Sequence, residues 1–122
     1  MKPAIIDTSF ILSCIKNKID FFEEIRFMGF EVFVPKQVVN ELERLIKTKK
    51  GATKTQADLA LKILKANRPK LIDFKKNYVD KGIIKYANTH PSCVIATLDS
   101  ELKKKIKNPK IIIRGKKKLE IQ

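Results

Sequence analysis

Short apolar runs rich in β-branched residues alternate along this chain with segments whose apolar residues recur at helical spacing, and that alternation admits few folds. Ile5-Ile6, Phe30 to Val34, Lys70 to Phe74, Cys93 to Leu98 and Ile111 to Ile113 read as strands. Between them, helical spacing marks Phe10-Ile11-Leu12, then Asp20 to Met28 with a stop at Gly29, then Val38 to Ile46 with Pro35 near its first turn. Further helices are expected from Thr55 to before Pro69, from Val79 to Asn88, and around Leu102 and Ile106. The basic stretch Lys47 to Lys54, which contains Gly51, is expected to be an exposed, mobile loop. A parallel strand pair needs a long crossover, usually a helix, and such helices cover both sheet faces. The expected architecture is therefore a three-layer α/β/α domain with a central parallel sheet of about five strands. Residues 115–122 are either an edge strand or a flexible basic tail.

With 122 residues, 43% of them hydrophobic, the chain fits one globular domain spanning residues 1–122. No apolar run reaches membrane-spanning length and the start lacks the apolar stretch of a signal peptide, so the expected compartment is the cytoplasm. Cys14 and Cys93 lie inside apolar patterns and are expected to be buried reduced thiols, and the lone His90 has no partner for a zinc site. Lys and Arg number 27 against 13 Asp and Glu, a formal net charge of +14. Such a field attracts polyanions and makes nucleic acid the first partner to consider, ahead of a membrane surface. Surface ion-pair networks are the bland explanation for the lysines, but acids are too scarce to pair with most of them. Two basic clusters stand out: Lys47, Lys49, Lys50 and Lys54, and a second beginning at Lys103, Lys104 and Lys105.

Three acids fall where strands give way to helices. Asp7 follows Ile5-Ile6 and precedes Thr8, Ser9 and a new apolar pattern, which puts a carboxylate at the C-terminal end of a strand. Ligands bind at this edge in open α/β sheets. Asp80 shares a helical stripe with Ile83, Ile84 and Ala87, and Asp99 stands in the same relation to Leu102 and Ile106. A helix-capping role accounts for each of the three separately. Glu41 and Glu43 lie well inside a helix, on opposite edges of its apolar face, and periodicity does not choose between them.

The segments Ile5-Ile6-Asp7-Thr8-Ser9-Phe10, Val34 to Leu42, Tyr78 to Ile84 and Val94 to Leu102, in this order and spacing, resemble the PIN-domain ribonucleases over almost the whole chain. The resemblance implies that Glu41, rather than Glu43, joins Asp7, Asp80 and Asp99 as catalytic metal ligands, with Thr97 and the hydroxyls of Thr8 or Ser9 beside them. It also implies a metal-dependent endoribonuclease. Clustered carboxylates repel one another unless a cation lies between them, and hard oxygen ligands select Mg²⁺ or Mn²⁺. Such ions activate a water for attack on a phosphodiester and offset charge on the leaving oxygen. Lysines of the two basic clusters would hold the RNA backbone without reading its sequence.

One position departs from the family pattern. Many members, particularly of the ribosome-biogenesis branch, carry paired acids where this chain has Asp80-Lys81. A ligand at the second position would here be replaced by a cation, but the helical stripe favours Asp80 as the inward residue. The segment Asp99 to Ile113 looks more like the ribosome-biogenesis branch than the toxin branch. That likeness implies ribosomal RNA processing, with a homodimer or ribosome-assembly factors as partners. The alternatives are a toxin-type ribonuclease inhibited by a small partner protein, and an inactive PIN module that binds RNA.

Overall fold

The computed structural model describes residues 1–75 and 78–122. The chain runs β1 (Lys2–Ile6), α1 (Thr8–Lys16), α2 (Phe21–Phe27), β2 (Phe30–Pro35), α3 (Lys36–Thr48), α4 (Gly51–Asn67) and β3 (Lys70–Ile72). It continues through α5 (Val79–Thr89), β4 (Val94–Ala96), α6 (Ser100–Lys104), β5 (Lys110–Arg114) and β6 (Lys118–Ile121). The strands form one sheet in the order β3-β2-β1-β4-β5-β6. Every pairing from β3 to β5 is parallel. From β1 the chain moves outward to β2 and β3, then crosses back to place β4 on the other side of β1. The order thus reverses between β1 and β4, which opens a crevice beyond the carboxyl ends of those two strands.

Two-residue periodicity divides the core between the sheet faces. Ala4, Ile6, Val94 and Ala96 pack with Phe10, Phe22, Leu42 and Leu61, beneath α1 to α4. Ile5 and Ile95 point the other way, into Ile83, Ala87 and Leu102 of α5 and α6. Near-continuous apolar runs in β1 and β4 are what a sheet covered on both faces requires. Cys14 and Cys93 are buried free thiols, as expected. The Cys14 thiol is pushed up to about 12 by burial and by the Glu24 carboxylate, so it stays protonated.

Two local expectations need correction, and a third, left open, is resolved. Residues 47–54 are not a loop, because α3 runs to Thr48 and α4 starts at Gly51, leaving only residues 49 and 50 between them. Lysine, threonine and alanine all tolerate helix, and α3 packs along α4, so a basic composition did not break the helices. Gly51, at φ +67°, makes the turn that a side-chain-bearing residue would adopt only with strain. The strand expected over Cys93 to Leu98 is shorter, ending at Ala96, and Leu98 is exposed. The C-terminal stretch is an ordered edge strand, since β6 pairs antiparallel with β5 after a turn through Gly115 and Lys116. Its Leu119 N–H donates to the Glu24 carboxylate at 2.8 Å, which occupies a backbone group that an edge strand would otherwise offer to another chain.

The segment entering α5 is seated by a glycine. Phe74 packs so closely over Gly82 that a Cβ there would overlap its ring. Gln37 of α3 holds the same segment, donating to the Lys75 carbonyl at 3.2 Å and accepting from the Phe74 N–H at 3.4 Å. These contacts position the start of α5, and hence Asp80, against α3.

Candidate active site

Asp7 lies one residue beyond β1 and caps α1. Its Oδ1 accepts from the Phe10 N–H at 2.9 Å and from the Ser9 hydroxyl at 3.1 Å. Its Oδ2 accepts from the hydroxyl of Thr97, which follows β4 and is fully buried. Burial holds the Asp7 carboxyl above its ordinary value; the bonds from Thr97, Phe10 and Ser9 oppose that rise, and the charge of Asp80 adds to it. Capping therefore describes Asp7 correctly and incompletely, since a cap needs no hydrogen bond from a residue 90 positions away.

Thr97 is shared. Its Oγ1 also accepts the Asp99 N–H at 3.1 Å, tying together the turns after β1 and β4. Asp99 caps α6, its Oδ1 taking the N–H groups of Glu101 at 2.9 Å and Leu102 at 3.3 Å. Asp80 stands in the first turn of α5, reached from β3. Glu41 comes from the middle of α3, reached from β2. These elements follow parallel strands, so their acids arrive at the same sheet edge.

There Asp7, Thr8, Ser9, Glu41, Val79, Asp80 and Asp99 line one pocket of about 200 Å³. The fold thus brings Asp7, Glu41, Asp80 and Asp99 to one pocket, and it separates Glu41, half-buried on the pocket, from Glu43, which is exposed. Lys81 is exposed and does not line the pocket. Among the described residues no three acidic, histidine or cysteine groups converge closely enough to hold a metal ion. Mutual repulsion favours that spread arrangement of anions. The donor set nevertheless suits a hard cation: it is all oxygen, and the buried Thr8 Oγ1 has no hydrogen-bond partner among the described residues. A larger cavity of about 530 Å³, between Phe74 and Tyr86, has among the described residues one carboxylate in its lining, that of Asp73, and includes none of these acids.

His90 stacks on Tyr86, with ring centroids 3.9 Å apart, away from the pocket. None of the basic residues named from the sequence lines the pocket. Lys47 is in the last turn of α3, Lys49 and Lys50 form the junction, and Lys54 is in α4. Lys103 and Lys104 are in α6, with Lys105 at its C-terminal cap. Lys104 makes an exposed pair with Glu101 at 3.6 Å. Sequence reasoning passed over Gln37, Asn40 and Arg44, which with Glu41, Tyr78 and Val79 line an adjoining groove of about 290 Å³. The signal was present, because these positions lie at i−4, i−1 and i+3 from Glu41 on one stripe of α3.

The family model described as a PIN-like domain matches residues 4–116. The chain belongs to the PIN-domain family. Its similarity to named proteins extends along most of its length. Ribonuclease VapC4 of Methanocaldococcus jannaschii is 37% identical over 129 aligned positions, covering 99% of this chain and 97% of that relative. Ribonuclease VapC9 of Archaeoglobus fulgidus is 31% identical over 108 positions, covering 88% of this chain and 77% of that relative. The solved structure of the PIN domain endonuclease Utp24 superposes with a TM-score of 0.78 at 28% identity, covering 97% of this chain and 90% of that one. No helix among the described residues is long and apolar enough to cross a membrane.

Proposed function

We propose that this PIN domain is a divalent-metal-dependent ribonuclease that hydrolyses RNA phosphodiester bonds in the cytoplasm. The observation that carries the reading is the single pocket lined by Asp7, Glu41, Asp80 and Asp99 at the carboxyl edge of the sheet. Relatives named as ribonucleases support it. Asp7, Glu41, Asp80 and Asp99 would hold Mg²⁺ or Mn²⁺, which when bound acidifies an attacking water and neutralises the leaving oxygen. Asp7 keeps a fixed orientation through three accepted hydrogen bonds and retains acceptor capacity on Oδ2. Asp99 spends Oδ1 on the α6 cap and has no recorded donor on Oδ2 among the described residues. Thr97 ties the Asp7 carboxylate to the Asp99 backbone, and the buried Thr8 hydroxyl lies beside them without a hydrogen-bond partner among the described residues. The lysines at the α3–α4 junction and on α6, all exposed but the half-buried Lys103, draw the RNA backbone toward this edge.

The finer role divides. Likeness to Utp24 favours ribosomal RNA processing with assembly factors, whereas the two VapC ribonucleases favour the toxin-type reading with a small inhibitory partner. Identity of 37% over nearly the whole chain puts the toxin-type reading ahead. RNA cleavage should be assayed on structured and single-stranded substrates with Mn²⁺, Mg²⁺ or chelator, beside Asp7→Asn. Metal-dependent cleavage lost in the variant is expected; cleavage that persists in chelator or in Asp7→Asn would overturn the assignment. Inhibition by the product of an adjoining small reading frame would support the toxin-type role.

A further inference from the structure

The groove beside the acids has the chemistry of a nucleotide subsite. Gln37, Asn40, Glu41 and Arg44 fall at i, i+3, i+4 and i+7 on α3, so the turn that brings Glu41 to the acidic pocket also aligns Asn40 and Arg44 beside it. Glu41 and Val79 line both the pocket and the groove, which makes the two continuous. Opposite α3 stands Tyr78, at the N-terminal cap of α5 and two residues before Asp80. Tyr78 is 79% exposed, and among the other described aromatic residues only Phe27, on the distant helix α2, is as exposed. Core packing does not account for an exposed ring, and capping does not either, since Tyr78 makes no side-chain cap bond.

Gln37 is already committed. It clamps the Phe74–Lys75 backbone. Asn40 and Arg44 side chains make no hydrogen bond or ion pair among the described residues, so an amide and a guanidinium remain available beside the ring. An aromatic face, a guanidinium and a carboxamide are the set that unpaired nucleotides use: stacking for the base, a charge-assisted bond for the phosphate, and a donor–acceptor pair for the base edge. A duplex keeps its bases stacked on one another and cannot present one to the ring.

Resting on the ribonuclease reading, we infer that the Gln37–Arg44 face of α3 and Tyr78 form a subsite for one unpaired RNA nucleotide next to the scissile phosphate. Tyr78 stacks on its base, Arg44 binds its phosphate and Asn40 contacts the base edge.

The test compares a labelled single-stranded RNA with the duplex of the same sequence, bound in chelator so that no cleavage occurs, by wild type, Tyr78→Ala, Tyr78→Phe and Arg44→Ala. Tyr78→Ala is expected to weaken single-strand binding about tenfold, with Tyr78→Phe close to wild type and duplex binding changed by less than about twofold. Thermal melts check that these exposed-site variants fold. Single-strand binding unchanged in Tyr78→Ala, or equal losses for both RNAs, overturns the subsite and assigns the groove to something other than RNA. Parallel cleavage assays with Mn²⁺ keep the two readings apart. Cleavage by wild type with no Tyr78 effect on binding removes the subsite alone, and a Tyr78-dependent binding preference without any cleavage removes the ribonuclease reading and overturns the placement beside a scissile phosphate.

Discussion

The hydroxyl of Thr97 donates to Asp7 Oδ2 across 90 residues of sequence while accepting the backbone N–H of Asp99. One fully buried side chain therefore joins the turns that follow β1 and β4, on either side of the place where the strand order reverses.

Thr97→Val keeps the shape and removes that bridge. A buried carboxylate and an N–H would each lose a partner, costing about 1–3 kcal/mol of stability. Urea denaturation should show this loss and Thr97→Ser should recover most of it. RNA cleavage is expected to fall at least about tenfold with the displaced carboxylates. A valine variant as stable and active as wild type would deprive the bridge of any role.

Asp7 links stability to pH with a definite sign. Burial raises its carboxyl above the ordinary value, so between that value and the raised one the folded state keeps a proton that the unfolded state has lost. The stability it contributes is present at low pH and lost as pH rises through the folded value. In chelator, Asp7→Asn is accordingly expected to melt higher than wild type at neutral pH, with the gap closing below about pH 4. With Mn²⁺ or Mg²⁺ the order should reverse, because metal bound only by the folded state raises the melting temperature of wild type. Asp99→Asn should also lose most of this metal-induced rise. Equal metal shifts in wild type and both variants would place the ion elsewhere.

Asp80 and Lys81 are neighbours with different surroundings. Asp80 lines the pocket, and Lys81 is exposed and outside it. Asp80→Asn is expected to weaken Mn²⁺ binding at least about tenfold. Lys81→Asp should strengthen it by no more than about threefold, since solvent screens the charge. Calorimetric titration of both variants measures the contrast, and a larger effect at Lys81 would mean that its side chain reaches the site.

The α6 lysines begin four residues after Asp99. Neutralising Lys103, Lys104 and Lys105 is expected to weaken binding of all RNA sequences alike and to flatten the log-affinity against log-salt slope by about 2. Lys62→Ala with Lys65→Ala on α4, where Lys62 already pairs with Asp58 at 3.0 Å, should have less effect. A flatter slope in the α4 pair alone would move the RNA path to the opposite side.

How far the sequence reaches differs from one residue to the next. The cores of β1, β2, β4 and β5 were readable because burial leaves a periodicity in local composition, and Gly29 and Pro35 punctuated the chain where expected. Asp7 and Asp99 were visible as residues that end strands and start helices, which is also why a capping role explained each of them. The α3–α4 junction was misread because a run of lysines looks like a solvated loop, whereas lysine is helix-compatible and packing between the helices decides.

Strand and helix order, the basic field and the candidate acids all came from the sequence by itself, since each depends on neighbours within a few positions. The Thr97 bridge and the groove at Tyr78 came only from the tertiary structure, which also sets Glu41 and Asp80, favoured beforehand by the family resemblance and the helical stripe, on one pocket. Parallel crossovers carry the ends of β1, β2, β3 and β4 to a common edge, and which side chains meet there depends on the strand order and the angle of each helix, which no local pattern of residues records.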